Sequence, residues 1–122
     1  MGLTLEAIER IRDAVGDDDL VIADILQSFV DEVDGLASQL TDAVATDDLK
    51  AMHRIAHTLK SACRDLGDEA TADLCAKLEG DARAGEVVEA GSAAALIGGE
   101  LRALKSEVIA YIASKQESSG LQ

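Results

Sequence analysis

The chain has no proline and no tryptophan, and it has a single phenylalanine and a single tyrosine. Without proline, no residue withholds its backbone N–H from an i−4 carbonyl, so nothing interrupts a long helix. With so few aromatics, the core must be built from Leu, Ile, Val and Ala, which suits helices packed on one another. Basic residues are scarce: 11 Lys and Arg stand against 24 Asp and Glu, for a net charge of −13. Such an acidic chain is repelled by nucleic acid and by anionic membrane surfaces, so neither is expected as a partner. No apolar run approaches the ~18 residues of a membrane span, and no signal-peptide pattern is present, so a cytoplasmic location is expected. The two cysteines, Cys63 and Cys75, fall on apolar stripes and read as buried thiols rather than a disulfide or a metal pair.

What is present is helical period. The 122 residues make one domain, large enough to bury roughly two thirds of its unfolded surface. Thr4 is placed to cap a short helix carrying Leu5, Ile8, Ile11 and Val15, which Gly16 closes. Asp17, Asp18 and Asp19 suit the positive start of the next helix, and one of them caps it. Between Leu20 and Ala45, Ile22, Leu26, Phe29, Val33, Leu36 and Leu40 alternate spacings of four and three, and Val44 extends the row. That is the seam of a bundle or a coiled coil. Asp24, Asp31, Asp34 and Asp42 lie opposite. The short connection Thr46–Asp48 favours folding back over a dimeric coiled coil.

Leu66-Gly67-Asp68 reads as a tight reversal, with Gly67 left-handed and Asp68 capping the next helix. Glu69 to Arg83 packs through Thr71, Leu74, Cys75, Leu78 and Ala82. Past Gly85, Val87 and Val88 open a last segment whose row is Ile97, Leu101, Leu104, Val108 and Tyr111. Gly91, Gly98 and Gly99 weaken that segment and call for either a break near Gly91 or a close helix contact at Gly98 and Gly99. The expected fold is all-α: an up-and-down antiparallel four-helix bundle with a short additional N-terminal helix across one end. It spans residues 1–114, followed by a flexible tail over 115–122, and is expected to be a monomer.

The most informative stretch is LKAMHRIAHTLKSACRDLG, Leu49 to Gly67. Wound at about 100° per residue it has two opposed faces. Leu49, Met52, Ala56, Leu59, Cys63 and Leu66 form an apolar stripe, widened by Ile55 and Ala62. Lys50, His53, Arg54, His57, Lys60, Ser61 and Arg64 form the other face, within about 60° of His57. His57 therefore stands in water, opposite the stripe, with cations before and after it. A core histidine is excluded by that placement, whereas a bland surface histidine is not. An exposed imidazole, with its reference pKa of about 6.5, is partly neutral and nucleophilic at neutral pH without a separate base. Lys60, one turn on, reaches the same patch. Its ammonium would favour a phosphoryl group on the ring, by ~1 kcal/mol per charge in water and ~4 under a docked partner.

AHTLKSACRDLG, Ala56 to Gly67, resembles the signature A-H-x-L-K-G-S-x-x-x-L-G of histidine-containing phosphotransfer (HPt) domains. ILQSFVDEVDGLASQL before it and LCAKLEGDARAG after it resemble the flanking family helices, so the likeness covers about residues 4 to 114. The resemblance implies a phosphorelay intermediate without kinase activity of its own. His57 would take a phosphoryl group from the aspartate of a response-regulator receiver domain and pass it to another receiver. Lys60 would assist, and His53, Arg54, Ser61 and Arg64 would meet the partner. Partners would be receiver domains and a hybrid sensor kinase. No cofactor is implied on this chain, since Mg²⁺ would belong to the receiver. Glu79 falls near an acidic position of the family and is read as a surface or hydrogen-bonding residue. The family favours Nε2 as the modified nitrogen. Ser61 replaces the usual Gly, and its hydroxyl is expected to turn back onto the His57 carbonyl and leave the imidazole clear. Ala62 replaces the usual Ser.

Other chemistry has less behind it. His53 and His57, at i and i+4, could share a metal ion, but the pair lacks the Glu of HExxH and is surrounded by cations. His53 as phosphoacceptor would leave Lys60 seven residues away. The Asp17–Asp19 run lacks further spaced ligands for a divalent metal. A hydrolase triad has no strained nucleophile turn, and a kinase has no Gly-rich nucleotide loop. Two alternatives of other classes are an adaptor bundle that binds receivers without being phosphorylated, and the phosphoacceptor module of a larger chemotaxis-type sensor kinase.

Overall fold

A computed structural model describes the backbone of residues 2–120 and the side chains of residues 2–116. Five helices follow in order: α1 (Leu5–Val15), α2 (Asp19–Ala45), α3 (Leu49–Asp65), α4 (Glu69–Ala84) and α5 (Ala90–Gly120). There is no strand among the described residues. α2 packs on α3 and α5, and α4 packs on the same two helices, so the four long helices close an up-and-down bundle. α1 packs on α2.

The starts and stops follow from local chemistry. Thr4, Asp18, Asp48 and Asp68 each turn a side-chain oxygen onto a free N–H of the first turn of α1, α2, α3 and α4 respectively. Gly16 and Gly85 end α1 and α4 in the left-handed conformation. At Gly67, φ is 89° and an added Cβ would collide with the Thr4 side chain. Glycine is needed there twice over, once for the turn and once to admit the start of α1. The Thr4 N–H donates to the Leu66 carbonyl at 3.1 Å, and the Gly2 N–H donates to Glu107 on α5 at 3.1 Å. The N-terminal segment is thereby strapped across the end of the bundle that holds the α3–α4 turn.

The core is aliphatic. Leu26, Leu40, Met52, Leu59, Leu101 and Leu104 are fully buried, and Cys63 and Cys75 lie among them as free thiols. The contact with Cys75, and after it burial, push the Cys63 thiol further from ionisation. Phe29, Leu36 and Tyr111 lie at the margin of the core, half-buried.

Three expectations need adjustment. Leu5 is exposed and Ala7 takes the buried place, because α1 meets the bundle with a narrower face than its apolar row suggested. Val87 and Val88 belong to the turn before α5, which begins at Ala90, so the break precedes Gly91. A Cβ at Gly98 or Gly99 would meet only the Arg102 guanidinium at 3.7 Å, so no helix presses on them. Residues 115–120 continue α5, and Leu121 and Gln122 lie outside the described residues.

Candidate functional site

α3 presents two faces. Met52, Ala56, Leu59 and Cys63 are buried against the bundle, with Ile55 beside them. His57 projects from the other side with 60% of its side chain exposed. The side chains of Arg54, Ser61 and Arg64 are exposed on the same face, and His53 is half-buried.

The centre of this face is not purely cationic, as the composition of α3 suggested. α4 inserts Glu79, whose side chain is only 7% exposed. Glu79 Oε2 lies 2.6 Å from His57 Nδ1, and Oε1 accepts from Lys60 Nζ at 2.5 Å. Taking a carboxylate out of water costs several kcal/mol unless charge and hydrogen bonds replace the solvent. Here the Lys60 ammonium supplies most of the replacement, and with His57 it holds the Glu79 carboxyl down at about 2 against the upward pull of burial. Glu79 is therefore ionised at neutral pH and can only accept hydrogen bonds. It follows that His57 donates through Nδ1–H, and the lone pair of the neutral ring sits on Nε2. Nε2 has no hydrogen-bond partner among the described residues.

The sequence-predicted residues thus fall into different places. His57 is where the helical wheel put it. Lys60 reaches the same patch, but it is four-fifths buried and bound to Glu79 rather than free in solvent. Arg64 pairs along the surface with Glu69 at 3.5 Å and Asp73 at 3.9 Å. His53 Nε2 accepts from the Arg83 guanidinium at 3.2 Å and lies 3.9 Å from Glu79 Oε2. Ser61 does not make the expected back-bond to His57. The back-bond on this stretch is made by Thr58, whose hydroxyl donates to the Arg54 carbonyl at 3.1 Å. The Ser61 side chain is exposed beside the imidazole. Of the Asp17–Asp19 run, Asp18 caps α2, while Asp17 and Asp19 both pair with Arg12.

Two residues escaped the sequence reading. Glu79 reads from the sequence as a surface or hydrogen-bonding residue. It does hydrogen-bond, but its burial and its partners on α3 are not foreseen, because acids are rarely buried without a partner and those partners are on another helix. The available signal was its position four residues after Cys75, on the side of α4 that also buries Thr71, Leu78 and Ala82. Arg83 carried no signal of its own. Beside the face, α1, α2 and α3 bound an open groove of about 370 Å³ lined by Ile11, Ile25, Phe29, Leu36, Thr58 and Ala62.

A family model described as Hpt domain matches residues 24–110. The fold resembles the crystal structure of histidine-containing phosphotransfer protein B (HptB) from Pseudomonas aeruginosa PAO1, with a TM-score of 0.82 and 20% sequence identity. That likeness covers 93% of this chain and 96% of the other. No curated protein matches the sequence.

Proposed function

The chain belongs to the Hpt domain family, and on that premise we propose that it is a phosphorelay intermediate in which His57 Nε2 carries the phosphoryl group between receiver aspartates. The observation that carries this reading is the buried, ionised Glu79 holding Nδ1–H of an imidazole whose other nitrogen faces solvent.

The step balances within the chain. Nε2 attacks phosphorus of an aspartyl phosphate on the docked receiver. The N–P bond forms as the P–O bond to the aspartate breaks, and the carboxylate leaves with its electron pair. The ring becomes an imidazolium with its proton still on Nδ1, and Glu79 opposes the new positive charge from 2.6 Å. A phosphoryl group on a protonated imidazole leaves readily, so the same arrangement serves transfer onward. Lys60 uses one of three ammonium donors on Glu79 and keeps others for phosphoryl oxygens. The chain supplies no nucleotide loop, and Mg²⁺ belongs to the receiver.

A visiting receiver would cover the apolar groove between α1, α2 and α3 together with Arg54, Ser61 and Arg64. Burying Ile25 and Phe29 there would supply affinity, and the exposed cations would set orientation. In Ser61 the partner meets a hydroxymethyl group where the signature quoted above has glycine.

Incubation with a phosphorylated receiver domain tests the reading. Acid-labile, base-stable label should appear on the parent and on His53→Gln, and should be lost in His57→Gln. Equal label on His57→Gln would remove His57 from the mechanism. Binding without label on any form would leave an adaptor.

A further inference from the structure

The chain is strongly acidic, so the places where its cations stand without an acid are informative. Arg12, Lys60, Arg64, Lys77 and Lys105 all have acidic partners within ion-pair distance. No such partner appears among the described residues for Arg10, Lys50, Arg54, Arg83, Arg102 or Lys115, and of these Lys50 and Arg83 line one pocket. These two, from α3 and α4, share with His53 an open pocket of about 310 Å³ whose other lining residues are Leu49 and Ala82. Against a net charge of −13, this pocket is a local exception in sign. Two cations lining one pocket offer an anion a positive local field.

We propose that Lys50, His53 and Arg83 form a receptor for an Asp or Glu side chain of the protein that exchanges phosphoryl groups with His57. This rests on the phosphorelay reading above and adds a second anchoring point to it. The pocket's chemistry fits a carboxylate on an aliphatic stem. Leu49 and Ala82 offer an apolar floor for methylenes. The Arg83 guanidinium gives one N–H to His53 Nε2 and keeps the remainder of its planar fork for two carboxylate oxygens. Lys50 lies one turn from His53 and closes the other side. A dianionic phosphate fits less well, since Glu79 Oε2 stands 3.9 Å behind His53 Nε2 and would repel it. The location also fits. His53 and His57 are one turn apart and Lys50 about two, so the pocket lies within roughly 10 Å of the imidazole along the helix. A partner seated on His57 covers it. The apolar groove flanks His57 from the α1–α2 side, so this pocket on the α4 side would fix the partner's rotation about the imidazole.

The test is binding, measured separately from transfer. A purified receiver domain is titrated against the full parent chain, Lys50→Gln, Arg83→Gln and the control Lys77→Gln, at low and high salt. Both pocket side chains are exposed, so their replacement leaves the fold intact, which circular dichroism checks. Each pocket variant should weaken Kd about fivefold at low salt and flatten its salt dependence, whereas the control stays within about twofold. Label transfer in the same samples should show a raised KM with kcat retained. Unchanged Kd and salt dependence in both pocket variants would overturn the proposal, even if transfer to His57 proceeds. Normal binding of the parent without transfer would defeat the relay reading and still leave the pocket tested by Kd. A receiver that fails to bind the parent would defeat both.

Discussion

α4 and its cap hold two acids, each 6% exposed, and they are satisfied in opposite ways. Asp68 finds its partners within three residues: the Thr71 N–H at 3.1 Å and the Thr71 hydroxyl at 2.7 Å. Glu79 finds its partners on another helix, 22 residues back at His57 and 19 back at Lys60. The first arrangement closes on itself and ends in the core. The second ends on an imidazole in solvent. Equal burial thus serves a helix start in one case and a chemical group in the other. What separates them is where the hydrogen-bonded chain leads.

That contrast can be broken by substitution, and the largest effect should come at Glu79. Glu79→Gln keeps a side chain of the same size but removes the charge opposing an imidazolium and allows the ring to adopt the other tautomer. Transfer from a phosphorylated receiver should slow by about 10–100-fold, as for other residues that orient a reactive group. Asp68→Ala should show the reverse pattern. It removes an N-cap and leaves Thr71 without its acceptor, so urea unfolding should register a loss of about 1–2 kcal/mol while transfer per folded molecule persists. If the two variants instead lose rate and stability in parallel, the distinction between the acids fails.

A third effect sharpens the comparison through pH. Lys60 and His57 lower the Glu79 carboxyl to about 2 in the folded chain, from an ordinary value of 4.5. A depressed folded value means that stabilisation is present above about 4.5 and disappears as pH falls towards 2. The stability gap between the parent and Glu79→Gln, followed by denaturant melts, should therefore narrow across that window. A gap that is constant from pH 5 to pH 2 would contradict the ion pair. Lys60→Met removes the main partner of Glu79, so the Glu79 carboxyl should rise and the variant's acid limb should begin at a higher pH than the parent's, the smallest of these shifts to read.

Helix starts, the α3–α4 reversal and the exposed side of α3 were legible in the sequence because each depends on neighbours within a turn or two. Thr4, Gly67 and Asp68 speak through local backbone chemistry, and His57 through its angle to Met52, Ala56 and Leu59. The burial of Glu79 and its partners, the role of Arg83 and the engagement of Lys60 were not legible. Period tells which side of a helix turns inward but not which side chain of the next helix arrives opposite. A lysine on α3 looks free until the acid from α4 is in place. Leu5 misled for a related reason: an apolar residue on a short terminal helix has no assurance that the bundle extends far enough to cover it. The Hpt resemblance was legible from a stretch of twelve residues, Ala56 to Gly67, and the family match over residues 24–110 agrees with it.

The central claim is that an ionised Glu79 fixes the tautomer of His57 and so chooses the nitrogen that reacts. Nitrogen-15 NMR of the histidine side chains tests this directly, on the free protein and after phosphorylation. The account predicts a proton on Nδ1 of neutral His57, phosphorus coupled to Nε2, and loss of the tautomer preference in Glu79→Gln. A proton on Nε2 in the free parent, or phosphorus on Nδ1, would contradict it.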